Sequence, residues 1–293
     1  MRKSSTIKLH NKKSKVFIAA NLSRKAVIPC AEKLIALLKK HKIAIAMDTS
    51  AEKLFPESGA EFVPTKEGFA AADMIFVIGG DGTILRAAKN ALIYDKPILG
   101  INAGRLGFLS DIEADDLSVI EKLFETGCDV EKRSVLEVIV GEKSVFAIND
   151  VFVTYCEPGK TAELFVECGE HEVCRYRADG IVLATPDGST AYSMSAGGPI
   201  IDTTFNAIVM TPVCPHSLIS RSIVFSADKT IHVGSSFNGD EEKVDVIVDG
   251  EKTFCIKKGD KVTAKVSDKC IKFINISGRG FYEVLNQKII GRI

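Results

Sequence analysis

The stretch Ala72 to Gly79 (ADMIFVIG) runs directly into Gly79-Gly80-Asp81-Gly82-Thr83, and then into Thr83 to Tyr94 (TILRAAKNALIY), whose apolar residues recur at helical spacing. A compact apolar run bounded by turn residues reads as a strand buried on both faces. Strand, glycine turn and helix in immediate succession form the first half of a βαβ unit, whose right-handed crossover lays the helix on the sheet. Strand patterns at Lys15–Leu22, Ile43–Met47 and Pro97–Ile101 and helical ones at Val27–Lys40 and Asp115–Thr126 repeat this alternation. The first 130 residues therefore predict an α/β domain around a parallel sheet.

From about Ser134 the periodicity changes. Short β-rich runs follow one another at Val135–Val140, Val145–Tyr155, Ala162–Cys168, Val173–Arg177 and Ile181–Thr185. More come at Thr230–Val233, Val244–Val248, Thr253–Ile256 and Lys261–Val266. Polar and apolar residues alternate in several of them, and turns such as Asp249-Gly250 and Gly259-Asp260 separate them, as in an antiparallel sandwich or packed sheets. The expected organisation is an α/β domain over residues 1–130, with 271–293 a candidate to complete it, and a β-rich, sandwich-like domain over 131–270.

Composition excludes several partners. The chain has 293 residues, with 38 Lys and Arg against 38 Asp and Glu. Such a balance offers no electrostatic footprint for nucleic acid and no polybasic attraction to a membrane. No apolar stretch approaches the roughly 20 residues that span a bilayer, and Val16–Ala20 is too short for a signal sequence. The eight cysteines form no CxxC pair, so neither a zinc ribbon nor a disulfide framework is expected, and a cytoplasmic setting with reduced thiols is.

In the glycine turn, backbone amides at a helix N-terminus form a concavity suited to phosphate. Asp81 is out of place in a phosphate cradle unless it binds a bridging metal or accepts a proton from an attacking hydroxyl. The tetrapeptide alone leaves open the plainer reading, in which Asp81 caps the helix and the glycines only turn the chain. Neither GxGxxG nor GxxxxGK[ST] occurs. A second loop, Asp179 to Pro199 (DGIVLATPDGSTAYSMSAGGP), runs out of a predicted strand into a dense series of hydroxyls and glycines, with Tyr192 placed to stack on a ring.

Taken in order, GGDGT, Gly104–Leu109 (GRLGFL), Asn149-Asp150, Asp179-Gly180, TPDGSTAYSMSAGGP and Thr211–His216 (TPVCPH) resemble the NAD kinase family. The TPDGSTAY block is the most specific of them; GGDGT alone is shared with diacylglycerol and sphingosine kinases and phosphofructokinases. The resemblance implies a Rossmann-like N-terminal domain, a β-rich C-terminal domain, a site in the cleft and a dimer or tetramer. It implies phosphoryl transfer to the 2′-hydroxyl of the adenosine ribose of NAD from ATP or polyphosphate, with Mg²⁺ or another divalent cation, producing NADP.

Residue by residue, it makes Asp81 the proton acceptor, with Gly82 touching substrate and Arg86 near the nucleotide phosphates. Asn149 and Asp150 match the pair that holds the nucleoside hydroxyls and adenine. Lys160, Arg177 and Asp179 match further ligand positions. Thr190, Ala191, Tyr192, Ser193, Met194 and Ser195 match the segment lining the adenine and nicotinamide sites. Arg177 is favoured over Arg175 because it shares a strand face with Asp179, and His216 is read as structural. The family commonly has Asn-Glu where this chain has Asn149-Asp150, Thr or Ser where Asp187 stands, and Gln where Glu251 stands. A non-catalytic NAD(H) sensor and a lipid or sugar kinase are the rival readings.

Overall fold

The computed structural model describes residues 5–10, 13–104, 107–157, 161–217, 220–236 and 243–290. The chain divides into two compact units, Met1–Lys132 with Ile271–Ile293, and Arg133–Cys270.

Unit 1 begins β1 (Ser5–Ile7), β2 (Lys15–Ala20), α1 (Val27–Lys40), β3 (Ala44–Asp48), β4 (Glu61–Val63) and α2 (Thr65–Ala71). It continues through β5 (Met74–Gly79), α3 (Asp81–Ile93), β6 (Pro97–Asn102), β7 (Ile112–Glu113), a 3₁₀ turn (Leu117–Glu121), α4 (Lys122–Glu125) and the start of β8 (Cys128–Val140). Its sheet runs β6-β5-β2-β3-β4, parallel at every pairing. Lys272 and Phe273, near the end of the C-terminal strand, add alongside β6, also in parallel. The order reverses between β2 and β5, and the crevice at the carboxyl ends of such strands is where open α/β sheets bind ligands.

Local sequence accounts for these elements. In α1, Val27, Cys30, Ala31, Leu34, Ile35 and Leu38 form one buried stripe, and Lys39 and Lys40 sit in the last turn, where cations complement the helix dipole. Every residue of β5 and β6 is buried, as strands covered on both faces must be. Removing a side chain such as the fully buried Phe76 costs about 3–5 kcal/mol.

The segment expected as a helix over Asp115–Thr126 is instead the 3₁₀ turn and a four-residue α-helix. Its buried residues, Leu117, Ile120 and Leu123, fall three apart, the period of a 3₁₀ helix. Strand β4 and helix α2 went unanticipated; α2 buries only Gly68 and Phe69, too few residues to print a helical pattern.

Unit 2 contains the rest of β8, then β9 (Lys143–Ala147), β10 (Asp150–Tyr155), β11 (Ala162–Cys168), β12 (His171–Ala178), β13 (Gly180–Ala184) and the short helix α5 (Tyr192–Ser195). Strands β14 (Ala207–Val213), β15 (Ile223–Ser226), β16 (Thr230–Ser235), β17 (Val244–Val248), β18 (Glu251–Ile256) and the first part of β19 (Lys261–Asn275) complete it. One antiparallel sheet runs β15-β14-β13-β10-β17-β18, and β12, β11, β16 and β19 pair antiparallel in the other. Both contribute to one core that includes Val138, Val153, Leu164, Leu183, Met210 and Val246. The fold class is the expected one, a parallel α/β unit and a sandwich-like β unit.

Two expected strand limits change. Val145–Tyr155 is two strands, because the chain leaves one sheet at Ala147 and enters the other at Asp150. Lys261–Val266 extends to Asn275. Strands β14 and β15 lie in a stretch that had no strand assigned to it, so Thr211 of TPVCPH stands in a fully buried strand rather than a loop.

Candidate active site

In unit 1, β5 ends at Gly79, Gly80 is extended (φ −98°, ψ 178°), and α3 starts at Asp81 itself, two residues before the Thr83 start that the sequence pattern suggested. Gly79, Gly80 and Gly82 all lie outside the left-handed region, so these glycines are not there for positive φ. Space explains Gly79, where a Cβ would stand 2.7 Å from the Thr83 side chain. Gly82 is different: among the described residues nothing lies within 4 Å of a Cβ built there.

Among the described residues, three donors orient the Asp81 carboxylate. The backbone N–H groups of Phe108 and Leu109 donate to Oδ2 and Oδ1 at 2.9 and 3.2 Å, and Lys288 Nζ lies 3.3 Å from Oδ2. The Lys288 ammonium also stands 3.9 Å from the Phe108 ring centroid, a cation–π contact that holds it in place. The Asp81 side chain keeps 37% of its surface exposed.

Beside this turn, at the carboxyl ends of β2 and β3, lies a cleft of about 350 Å³ whose lining includes Asn21, Asp48, Thr65, Thr83, Arg86 and Asn90. Hydrogen bonds from the Thr65 hydroxyl and the Ser50 N–H hold the Asp48 carboxyl below its usual range. Nearby, the Arg24 guanidinium comes within 3.5 Å of the point where a Cβ on Gly80 or on Gly104 would sit.

In unit 2, the bend at Ile148-Asn149 is built by Asp249. Its carboxylate accepts the N–H groups of Ile148, Asn149 and Asp150, the shortest at 2.8 Å from Asn149. Asp150, 6% exposed, starts β10. Burial, and next the charge of Asp249, push its carboxyl up to about 7, against a backbone hydrogen bond from Tyr192. Opposite it, the Thr185 hydroxyl donates to the Ile148 carbonyl and accepts from the Gly188 N–H. A Cβ on Gly188 would fall 1.8 Å from the Asn149 carbonyl oxygen, so only glycine permits the two segments to touch.

The hydroxyls of the TPDGSTAYS segment have unequal duties. Ser189 donates to the Pro186 carbonyl, and Thr190 to that of Asp187. Ser193, fully buried, shares a 2.9 Å hydrogen bond with Thr211. These hydroxyls brace the loop. Tyr192, 41% exposed, meets Phe152 edge-on with centroids 5.0 Å apart. Ser195 is also exposed, while Ala191 and Met194 are half-buried.

Arg177 and Asp179 are exposed at alternate positions of one segment. Arg177 donates to the Thr161 hydroxyl, whereas Arg175 is ion-paired with Glu172 and Glu163. His216 donates its backbone N–H to the Arg177 carbonyl, in keeping with a structural part. Lys160 and Arg105 lie outside the described residues.

The sequence matches the ATP-NAD kinase N-terminal domain over residues 16–127 and the ATP-NAD kinase C-terminal domain over residues 148–276. The chain belongs to the NAD kinase family. Its relatives include the NAD kinase of Natranaerobius thermophilus, 33% identical over 282 residues, covering 94% of this chain and 98% of the relative. The NAD kinase of Symbiobacterium thermophilum is 37% identical over 234 residues, covering 78% and 82%. The yeast NADH kinase solved with NADH has the same fold, with a TM-score of 0.84 at 21% identity over 98% of this chain and 88% of that one. The Archaeoglobus fulgidus NAD kinase solved with ATP superposes with a TM-score of 0.73 at 24% identity, covering 95% and 98%.

Against the NAD kinase pattern, Asp187 is the departure that the structure explains. Its buried carboxylate lies 2.8 Å from Arg133 Nη1, with the two side chains 6% and 18% exposed. The extra acid is thus matched by a cation inside unit 2. Sequence reasoning missed Lys288, Arg133 and Asp249. Each acts on a partner far along the chain, and only Asp249, in an Asp-Gly turn, carried any local signal.

Proposed function

We propose that this chain transfers the terminal phosphoryl group of ATP to the 2′-hydroxyl of the adenosine ribose of NAD. Asp81 takes the hydroxyl proton as the oxygen attacks phosphorus, and the phosphorus–oxygen bond to the leaving nucleoside diphosphate breaks. The observation that carries the reading is the Asp81 carboxylate, held by two backbone amides and Lys288 yet open on one side. A positioned base of this kind contributes on the order of 10²–10⁴-fold.

Gly82 supports the assignment. Among the described residues no atom would meet a Cβ there, which supports a substrate approaching the backbone at the helix N-terminus. The cleft bordered by Thr83, Arg86 and Asn90 has the position expected of the donor nucleotide in an α/β sheet. Arg86 and Arg24 are the cations beside the phosphates, and polyphosphate is the alternative donor.

For the acceptor, Asn149 and Asp150 hold nucleoside hydroxyls and adenine, with Tyr192 for stacking and Thr190, Ala191, Ser193, Met194 and Ser195 shaping the pocket wall. Arg177, Asp179 and Lys160 complete the ligand set. Unit 1 in this reading handles the donor and unit 2 the dinucleotide.

Mg²⁺ or a similar divalent cation, when bound, would supply charge neutralisation on the transferring phosphoryl group. Among the described residues no trio of His, Cys, Asp and Glu ligands gathers at the glycine turn. Asp48 or Asp81 would be the residues placed to hold such a cation alongside the nucleotide's own phosphates. A cytoplasmic homodimer or homotetramer completes the reading.

The test is turnover. Purified protein incubated with ATP, Mg²⁺ and NAD should form NADP, detected with glucose-6-phosphate dehydrogenase, and Asp81→Asn should bind NAD yet lose most turnover. Near wild-type kcat in that variant would remove Asp81 from the role of base. Tight NAD binding without product in the wild type would favour a sensor.

A further inference from the structure

Away from the kinase residues, three neighbouring strand segments of unit 2 bring two thiols and a carboxylate together. Cys156 follows the end of β10, Asp245 lies on β17, and Cys255 on β18 is the direct cross-strand neighbour of Asp245. One ligand atom from each lies within 4.8 Å of the other two. The Cys156 thiol donates to Asp245 Oδ1 at 2.9 Å, and Lys252 Nζ lies 2.6 Å from the other oxygen, Oδ2. Asp245 is 8% exposed, while Cys255 is exposed.

We propose that Cys156, Asp245 and Cys255 form a binding site for one thiophilic divalent cation of the zinc class, with water as the fourth ligand. Sulfur at about 2.3 Å and oxygen at about 2.0–2.2 Å from a tetrahedral zinc ion put ligand atoms roughly 3.3–3.8 Å apart. The observed cluster needs only small side-chain rotations to reach that spacing. On binding, bonds form from the metal to two sulfurs and to Oδ1, and two thiol protons leave to solvent; nothing is oxidised or reduced.

Charge bookkeeping favours the same occupant. Two thiolates and one carboxylate carry three negative charges, and a divalent cation with the Lys252 ammonium supplies three positive ones. Lys252 does not compete for the metal, because it holds Oδ2 and leaves Oδ1 turned toward the thiols, as outer-shell partners of ligating carboxylates do. In the metal-free protein, burial first and then Asp245 push the Cys156 thiol well up, so the cation displaces a proton rather than meeting a free thiolate.

A disulfide is the other use of paired thiols, and the sheet opposes it. Strands β10 and β18 flank β17, so their backbones stand about 9–10 Å apart at ordinary strand spacing. A disulfide requires Cα atoms within about 7 Å. The thiols converge above the intervening strand, which suits a metal between them.

The experiment uses the reduced, chelator-stripped full chain titrated with Cd²⁺ and read by thiolate-to-metal charge-transfer absorbance. A band that saturates at a single equivalent and is displaced by Zn²⁺ is expected. Cys156→Ser and Cys255→Ser should each weaken Cd²⁺ binding by about tenfold or more, with the exposed Cys214→Ser unchanged as a control. Zn²⁺ should also raise the Tm of the wild type and not of Cys255→Ser, a surface change that leaves no buried cavity. A band that persists unweakened in both cluster variants, no saturable band in the wild type, or a Cys156–Cys255 disulfide mapped by mass spectrometry would each overturn the proposal.

Discussion

A Cβ built on Gly107 lies 1.8 Å from Asp81 Oδ1: the chain at Gly107 is pressed against the carboxylate, and a hydrogen atom is all that fits between them. This close approach is what lets Phe108 and Leu109 donate their amides to the carboxylate. Gly107→Ala should displace the carboxylate and reduce kcat by about 10²-fold, since small misplacements of a reacting group cost that much. Its KM values for ATP and NAD should change less. Steady-state kinetics with a circular-dichroism check of folding decide the matter; wild-type kcat in a folded alanine variant would refute it.

Lys288 reaches the same carboxylate from the far end of the chain. Because the pair is partly exposed, removing the ammonium should hardly alter stability. It should nevertheless loosen the carboxylate. Lys288→Met is expected to lower kcat by about tenfold, and Lys288→Arg to recover most of it. Equal kcat in the Met variant and the wild type would show that the contact plays no part in turnover.

Arg133 and Asp187 make a different kind of pair, one that is largely buried. Breaking such a pair from one side removes a close ion-pair partner from a buried charge and costs up to about 3–5 kcal/mol. Arg133→Met should therefore lower the free energy of unfolding in urea by about that amount, and Asp187→Thr in the same chain should restore much of it. If the double variant is no more stable than the single one, the two residues are not coupled.

Asp150 makes stability depend on pH. Its carboxyl titrates at about 7 in the folded chain and near 3.9 when unfolded. Between these values the folded state binds more protons, so this group's contribution falls as pH rises from about 4 to 7, by up to about 4 kcal/mol. Asp150→Asn should remove that slope and be more stable than the wild type at pH 8. Tm measured at pH 5 and pH 8 for both proteins checks it; parallel slopes would contradict the assignment.

The residue order by itself determined a good deal. Apolar runs broken by turn residues marked β2, β5, β6 and β13, the helical spacing of Leu34, Leu37 and Leu38 marked α1, and the change of period near Ser134 separated an α/β half from a β half. GGDGT and TPDGSTAY marked the chemistry. These signals are local: a strand or helix writes its burial into the spacing of its own side chains. Where burial does not follow a clean period, as in α2 or across the bend at Ile148-Asn149, the reading failed.

Tertiary structure alone decided which distant groups meet. Lys288 stands beside Asp81 across 207 positions, Asp249 builds the bend before Asp150 across about a hundred, and Arg133 answers Asp187. It also decided that Ser189, Thr190 and Ser193 brace their loop, and that the turn glycines work through space rather than through φ. Such contacts depend on strand register and on packing between elements, and no local periodicity carries that information.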